Sequence, residues 1–213
     1  RELTKALDSP SPAAMKELKR VIKFVLDTKD LALKLEPTAQ EDNHWTILAF
    51  SDSDFAGDKE TRISVSGFVL YLNGVPISWK SKAQKAVTLS STKAEYVAMS
   101  EAAKEIKFVY QIMLSMGMKV HTPIVVRVDN VGAIFMSENV AISPRTKHVD
   151  IRYKFLREFV QDRFLRIIFV RSEDNVSDIM TKNTTGEIHK RHVKMLIKKK
   201  GGDDDMLQHG ASR

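Results

Sequence analysis

The sequence predicts an α/β protein built on a five-stranded mixed sheet flanked by helices. Short β-rich runs and longer helical segments follow one another in the order β-β-β-α-β-α-α-β-α. Helices separate the strands only in the second half, which predicts parallel pairing there and antiparallel pairing among the first three strands. With 213 residues, 43% of them hydrophobic, the chain can bury one core and carry flanking segments.

The segment before the sheet is predicted to be mostly helical. Ser11 followed by Pro12 is a typical helix start, and apolar residues at helical spacing continue to about Asp27. Residues 37–44 are polar and predict a linker. Because Arg1 is not an initiator methionine, we expect a piece of a longer polypeptide or a degraded reading frame, with residues 1–40 ending a preceding domain.

The first three strands are predicted to be antiparallel neighbours. An apolar run begins at Trp45 and ends at Asp52, and a second strand is predicted from about Arg62 to Leu72. Asn73 and Gly74 tolerate positive φ and predict a two-residue hairpin turn before a third strand at 75–80.

A long helix is predicted to begin at Ser90, Ser91 and Thr92 and to end at Gly117. The later elements alternate in type: strand 124–129, helix 130–137, a basic helix 145–161, strand 164–170 and helix 174–181. Residues 183–213 are basic and of low complexity, which predicts a disordered tail.

Four acidic residues lie where a predicted strand or helix would direct them to one point: Asp52, Glu95, Asp129 and Asp178. Hard divalent cations prefer oxygen ligands, so converging carboxylates predict a metal site for phosphoryl transfer. Each acid also has a structural interpretation. Asp52 could be a turn residue and Glu95 a capping-box partner of Thr92. Asp129 could be a helix N-cap and Asp178 a solvated helical acid. Asp54 is the main alternative to Asp52.

The charge of the chain favours a polyanionic partner, because its net charge is +7 and its pI is about 9.5. Solubility alone is the alternative explanation of that charge. The absence of cysteine excludes disulfides, thiol catalysis and cysteine-ligated zinc. No signal-peptide pattern and no apolar run of about 20 residues is found, so we expect a soluble intracellular protein without a membrane partner.

Seven strings along the chain resemble the ribonuclease H domain of Ty1/copia retrotransposon polyproteins. They occur in the family's order at 50–58, 67–69, 77–82, 89–96, 128–130, 145–153 and 177–182. The resemblance covers about residues 45–182 and implies the ribonuclease H-like fold for them. The helix before them is similar to the end of the reverse transcriptase that precedes this domain in the family, whose polymerase palm is absent from this chain.

The resemblance implies an endonuclease that hydrolyses the RNA strand of RNA–DNA hybrids during reverse transcription. Its metal-binding acids fall on Asp52, Glu95, Asp129 and Asp178, with Asp52 bridging two Mg²⁺ ions that Mn²⁺ can replace. It also implies two partners, the hybrid and the reverse transcriptase of the same polyprotein, and a retrotransposon particle in the cytoplasm or nucleus. The loop before Asp178 lacks the histidine that many ribonucleases H carry, with Glu173, Asp174 and His148 as substitute candidates.

Recognition of a hybrid by shape requires contacts to phosphates and hydroxyls. The candidate nucleic-acid-binding residues are Ser91, Thr92, Asn130, Lys80, Lys82, Arg145, Lys147, His148 and Arg152. A solvated basic face is the alternative for each of them. One alternative function is a catalytically inactive remnant that binds nucleic acid. Another is an integrase or resolvase, but the predicted hairpin and the seven strings argue against it.

Overall fold

A computed structural model describes residues 3, 7–38, 42–58, 60–139 and 151–199, without the side chains of 151–153, 198 and 199. The chain divides into two compact units, Arg1–Leu33 with Ile197–Arg213, and Lys34–Leu196. The helices are α1 (Pro12–Asp27), α2 (Ser91–Ser115), α3 (Val131–Glu138), α4 (Ile151–Gln161), α5 (Asp178–Thr181) and α6 (Gly186–Leu196). The strands are β1 (Leu31–Leu33), β2 (His44–Trp45), β3 (Ile47–Asp54), β4 (Val65–Leu72), β5 (Val75–Ala83), β6 (Lys119–Val120), β7 (Ile124–Val128), β8 (Leu165–Phe169) and β9 (Ile197–Lys199).

The smaller unit contains α1 and an antiparallel strand pair. As predicted, Ser11 caps α1, because its hydroxyl accepts a hydrogen bond from the Ala14 amide at 3.1 Å. Every residue of α1 is described, and none of them is buried. Strand β1 pairs with β9 from the far end of the chain.

The larger unit contains the predicted five-stranded mixed sheet, in the order β5-β4-β3-β7-β8. Strands β3, β4 and β5 pair antiparallel, whereas β7 pairs parallel with both β3 and β8. Asn73 and Gly74 form the turn between β4 and β5 with φ of 48° and 79°. This order and these directions confirm the predicted fold class, which is that of ribonuclease H.

The main core lies between the sheet and α2, with α4 adding Leu156. Alternate residues of β7, Ile124, Val126 and Val128, are buried, as expected for side chains on one face of a strand. Helix α2 buries Tyr96, Met99 and Ile106 on the sheet. Its end matches the prediction, since Gly117 follows it with φ of 75°.

The structure differs from the sequence prediction at the end of the domain. Residues 174–181 do not form one helix, because Ser172–Asp174 is a short 3₁₀ turn and α5 begins only at Asp178. Asn175 interrupts the helix, since its buried amide donates to the Ser51 carbonyl at 3.0 Å and its side-chain carbonyl accepts from Ser177.

The expectation of disorder does not hold for residues 186–199, which form α6 and β9. Tertiary contacts explain the difference, because α6 buries His192 and Leu196 and its Arg191 pairs with Asp174 at 2.6 Å. Residues 145–150 of the predicted basic helix lie outside the described residues, and 151–161 are helical. Across the described ranges, we find no helix with the length and apolar character that crossing a membrane requires.

Candidate active site

Three of the four predicted acids meet at one edge of the sheet. Ligand atoms of Asp52, Asp129 and Asp178 all lie within 4.8 Å of one another, and we call these three residues the carboxylate cluster. Asp52 lies near the end of β3, Asp129 directly follows β7, and Asp178 begins α5. Because β3 and β7 are parallel neighbours, their carboxyl ends bring Asp52 and Asp129 to the same edge.

Helix α5 reaches the cluster because the strand beneath it carries a glycine. Asp52 pairs with Gly67 of β4, and a Cβ atom at Gly67 would lie 2.6 Å from Thr181 Cγ2 and 2.8 Å from Met180 Cβ. No real Cβ atom tolerates contacts that short. Gly67 therefore permits the close approach that places Asp178 beside Asp52.

Asp129 is oriented by the loop that precedes α5. The Ser172 hydroxyl donates a hydrogen bond to Asp129 Oδ2 at 2.6 Å. Asp129 is not the cap of α3, since Asn130 takes that place and accepts from the Ala133 amide at 2.9 Å. The capping interpretation of Asp129 is therefore wrong.

Glu95 lies in α2 and is 5% exposed, but it is not one of the three converging residues. Its Oε1 accepts hydrogen bonds from the Ser53 amide at 3.0 Å and from the Ser53 hydroxyl at 2.9 Å. The N-cap of α2 is Ser90, whose hydroxyl accepts from the Lys93 amide. Glu95 therefore does not form the predicted capping box with Thr92.

Asp52, rather than Asp54, is the acid of β3 in this cluster. Asp52 is 1% exposed, whereas Asp54 is partly exposed at the end of the strand and lies outside the group of converging ligands. Thr181 donates a hydrogen bond from its hydroxyl to Asp52 Oδ2.

Lys182 is a member of the site that the sequence analysis did not identify. Its Nζ lies 3.1 Å from Asp178 Oδ2 and 3.7 Å from Asp52 Oδ1. The i,i+4 spacing from Asp178 on a helical segment was a signal for the first contact. The second contact depends on tertiary structure, which the sequence pattern does not contain.

Burial makes the negative charge of these acids unfavourable. Burial raises the pKa of Glu95 to about 9, and the charges of Asp52 and Asp129 act in the same direction. Burial and then the charge of Asp52 raise the pKa of Asp178 to about 7. Burial also raises the pKa of Asp52, which Lys182 and Thr181 oppose.

Lys182 partly compensates this charge. Burial lowers the pKa of its ammonium group, but the charges of Asp52 and Asp178 outweigh that effect, so the pKa lies above its usual value. Among the described side chains, Lys182 is the one cation paired with these acids, and a bound divalent cation would favour their ionised form further.

The residues of the site fit a hard divalent cation. Every candidate ligand is a carboxylate oxygen, which Mg²⁺ and Mn²⁺ prefer. Among the described side chains, Asp178 Oδ1 and Glu95 Oε2 are buried oxygens without a hydrogen-bond partner. Buried acceptors of this kind are usually satisfied, so these two oxygens are available as ligands.

Two of the predicted nucleic-acid-binding residues lie together beside the site. A Cβ atom at Gly132 would lie 3.0 Å from Thr92 Oγ1 and 3.2 Å from Asn130 Oδ1, so the beginnings of α2 and α3 are close. Ser91 is exposed in the first turn of α2. Backbone amides at helix starts suit phosphate contacts.

Lys80 and Lys82 line a groove of about 260 Å³ between β5 and α2, together with Lys85 and Lys104. Lys80 pairs with Glu101 at 3.4 Å, so its charge is partly compensated. With its other lysines, the groove still offers a basic surface. Its residues are distant in sequence from the predicted basic helix.

The side chains of the other predicted nucleic-acid-binding residues of basic type lie outside the described part of the chain. Arg145, Lys147 and His148 lie outside the described residues, and the side chain of Arg152 in α4 is not described. Of the substitute candidates for the histidine, Asp174 pairs with Arg191 at 2.6 Å and Glu173 with Arg171 at 3.7 Å. These contacts favour the interpretation of both acids as loop residues.

Comparison with known proteins identifies Pol polyproteins of transposons among the relatives of this chain. The chain is 34% identical over 180 residues to the retrovirus-related Pol polyprotein from transposon RE1 of Arabidopsis thaliana, covering 84% of this chain and 12% of the relative. It is 38% identical over 136 residues to the corresponding polyprotein from transposon TNT 1-94 of Nicotiana tabacum, covering 64% of this chain and 10% of that one. The chain thus spans about a tenth of these relatives. No family model matches the sequence.

Among solved structures, the chain is similar to LC11-RNase H1, crystallised in complex with an RNA/DNA hybrid. The TM-score is 0.48 at 15% identity, covering 64% of this chain and 94% of that one. The strand order β5-β4-β3-β7-β8 and the strand directions are those of the ribonuclease H fold. Together with the Pol relatives, that topology supports one assignment: the chain belongs to the Ty1/copia-type retrovirus-related Pol polyproteins, as a ribonuclease H domain.

Proposed function

We propose that this domain hydrolyses the RNA strand of RNA–DNA hybrids during retrotransposon reverse transcription. The observation that carries the proposal is the convergence of Asp52, Asp129 and Asp178 within 4.8 Å, at the edge of a sheet with ribonuclease H topology. The family supports it, because reverse transcription leaves an RNA template paired with new DNA. The relatives' name and the hybrid in the complex of LC11-RNase H1 agree with that substrate.

The cofactor we propose is a pair of Mg²⁺ ions, which Mn²⁺ can replace. Asp52 would hold both, Glu95 and Asp129 one of them, and Asp178 the other. The chemistry that these ions supply when bound is activation of water and stabilisation of charge on the departing 3′ oxygen. Products would then carry a 5′ phosphate and a 3′ hydroxyl.

The protein's own contribution is to hold the acids in position. Ser172 and Thr181 fix one oxygen each of Asp129 and Asp52, and Ser53 fixes Glu95. Among the described side chains, Glu95 Oε2 is left without a hydrogen-bond partner, whereas Asp52 Oδ1 lies 3.7 Å from Lys182 Nζ. A site held by packing and hydrogen bonds loses little free energy to rearrangement when it binds its ligand.

Substrate recognition would depend on shape and charge. Thr92 and Asn130 lie at the starts of α2 and α3, where they can contact phosphates or 2′-hydroxyls. The groove with Lys80 and Lys82 can follow the phosphate backbone. Contributions from Arg145, Lys147, His148 and Arg152 stay predictions.

Cleavage of an end-labelled RNA strand annealed to DNA tests the proposal, with the wild-type chain and an Asp129→Asn variant. The variant keeps an oxygen that can accept from Ser172, so it should fold while losing one charged ligand. An Asp162→Asn variant is the matched control, since Asp162 is exposed just after α4.

We expect metal-dependent cleavage by the wild type and by the control, and a loss of roughly 100-fold or more in the Asp129→Asn variant. A folded wild type that cuts no hybrid in Mg²⁺ or Mn²⁺ would contradict the enzyme. Binding without cleavage would then favour the inactive nucleic-acid-binding remnant.

The context of the domain is part of the same proposal. We propose residues 1–40 as the end of a reverse transcriptase and 45–182 as the ribonuclease H domain. The reverse transcriptase would be its partner within one polyprotein, in an intracellular particle. Direct binding of this chain to a separately expressed reverse transcriptase segment would test that partnership.

A further inference from the structure

A second group of metal-ligating side chains lies at the start of the sheet, formed by Asp42, His44 and His121, which we call the histidine cluster. His44 belongs to β2, Asp42 precedes that strand, and His121 directly follows β6. Strands β2 and β6 pair in parallel, and the His121 amide donates to the Trp45 carbonyl at 2.9 Å. This short pairing brings two segments together that are distant in sequence.

Both imidazole rings face one carboxylate. His121 Nε2 lies 3.1 Å from Asp42 Oδ2, and His44 Nδ1 lies 3.4 Å from the same oxygen. A tetrahedral zinc ion with bonds of about 2.0–2.1 Å separates its ligand atoms by about 3.3 Å. The two measured separations agree with that spacing.

The backbone holds the carboxylate in this orientation. The His44 amide donates to Asp42 Oδ1 at 3.0 Å, and His121 Nε2 lies 3.3 Å from the same oxygen. The rings of His44 and His121 stack, with centroids 4.9 Å apart and an angle of 29° between their planes. Within the part of the chain that the structure describes, His44 Nδ1 is a buried nitrogen without a hydrogen-bond partner.

We propose that the histidine cluster binds a divalent ion of the zinc class, using Asp42, His44 and His121 as three ligands. Two imidazoles with one carboxylate suit Zn²⁺ and similar borderline ions, whereas Mg²⁺ prefers oxygen alone. Three protein ligands leave a fourth position for water.

This site is distinct from the carboxylate cluster and does not depend on the proposed nuclease. His44 and Asp52 are eight residues apart along an almost continuous strand, a separation of roughly 25 Å in extended chain. An ion in the histidine cluster would join the segment before β3 to the β6–β7 connection, and so stabilise the folded state.

Isothermal titration of the whole chain with Zn²⁺ tests the site, in buffer with Mg²⁺ in large excess to occupy the oxygen ligands. The proteins compared are the wild type, a His121→Ala variant and, as the matched control, a His189→Ala variant. His121 and His189 are both exposed, so neither substitution removes a buried side chain. Circular dichroism of each variant checks that it is folded.

We expect one strongly bound Zn²⁺ in the wild type and in the control, and binding at least about tenfold weaker in the His121→Ala variant. Zn²⁺ should also raise the thermal midpoint of the first two proteins and not of the third. Equal affinity in all three, or no binding by a folded wild type, would overturn the proposal. The contacts of Asp42 with the two imidazole rings would then be polar contacts that hold no metal ion.

Discussion

The carboxylate cluster and the histidine cluster offer different ligands in different surroundings. Asp52 and Asp178 are 1% and 3% exposed and come from β3 and α5, which are far apart in sequence. The side chains of the histidine cluster are 40–51% exposed and lie in or next to the short paired strands β2 and β6. The carboxylate cluster contains only oxygen ligands, whereas two of the three ligands in the histidine cluster are nitrogen atoms.

The comparison shows how burial changes the need for a cation. Burial raises the pKa of Glu95 to about 9 and that of Asp178 to about 7, because charge is unfavourable in a protein interior. Water screens the charges of the exposed cluster, so that cluster is tolerated without an ion. We therefore expect the carboxylate cluster to depend on a cation for its ionised state, and the histidine cluster to gain only additional stability.

The largest expected effect is on the rate of hybrid cleavage, which should depend on the carboxylate cluster and not on the histidine cluster. An Asp178→Asn variant should lose roughly 100-fold or more in the rate of hybrid cleavage, because it removes a charged ligand of the proposed ions. A His121→Ala variant should cleave at the wild-type rate. Initial rates at saturating Mg²⁺ measure both. A comparable loss in the two variants would mean that the clusters are coupled.

A smaller effect is expected from the backbone beneath the carboxylate cluster. A Gly67→Ala variant would place a Cβ atom 2.6 Å from Thr181 Cγ2, so α5 would have to move away from β4. We expect a loss of about 1–3 kcal/mol in the free energy of unfolding, together with slower cleavage. Urea denaturation measures the stability, and an unchanged midpoint would show that α5 is not held closely. A Gly117→Ala variant is a control of a different kind, since its strain arises from a φ of 75° in a position without close contacts.

The smallest effect concerns pH in the presence of a chelator. Folded Asp178 and Glu95 have pKa values raised to about 7 and about 9, from 3.8 and 4.5. In that range the folded state binds more protons than the unfolded state, so stability should fall as the pH rises toward 9. Thermal midpoints should show this slope in the wild type and a smaller slope in a Glu95→Gln variant. Added Mg²⁺ should reduce the slope, and equal slopes in both proteins would contradict a raised pKa of Glu95 in the folded state.

The parts of the fold that local chemistry determines were predictable. The Asn73–Gly74 turn, the Ser11 cap and the alternation of β7 are all encoded within a few residues. The acids Asp52 and Asp129 could be predicted because they follow apolar strands whose carboxyl ends meet at one edge.

The parts that depend on tertiary contacts were not predictable. Asn175 breaks the predicted helix because it reaches the Ser51 carbonyl on another element. Helix α6 gains stability by burying His192 and by the pair between Arg191 and Asp174, although its composition suggested a disordered tail. Lys182 contacts Asp52 across 130 residues of sequence, which no periodicity reveals.

The activity that we propose for this domain is hydrolysis of the RNA strand of RNA–DNA hybrids. The most direct measurement offers the wild-type chain three duplexes of one sequence in Mg²⁺: RNA–DNA, RNA–RNA and DNA–DNA. We expect cleavage of the RNA strand in the hybrid alone, abolished by chelation and leaving 5′ phosphates. Equal cleavage of all three duplexes, or no cleavage by a protein shown to be folded, would contradict the proposed hybrid-selective nuclease.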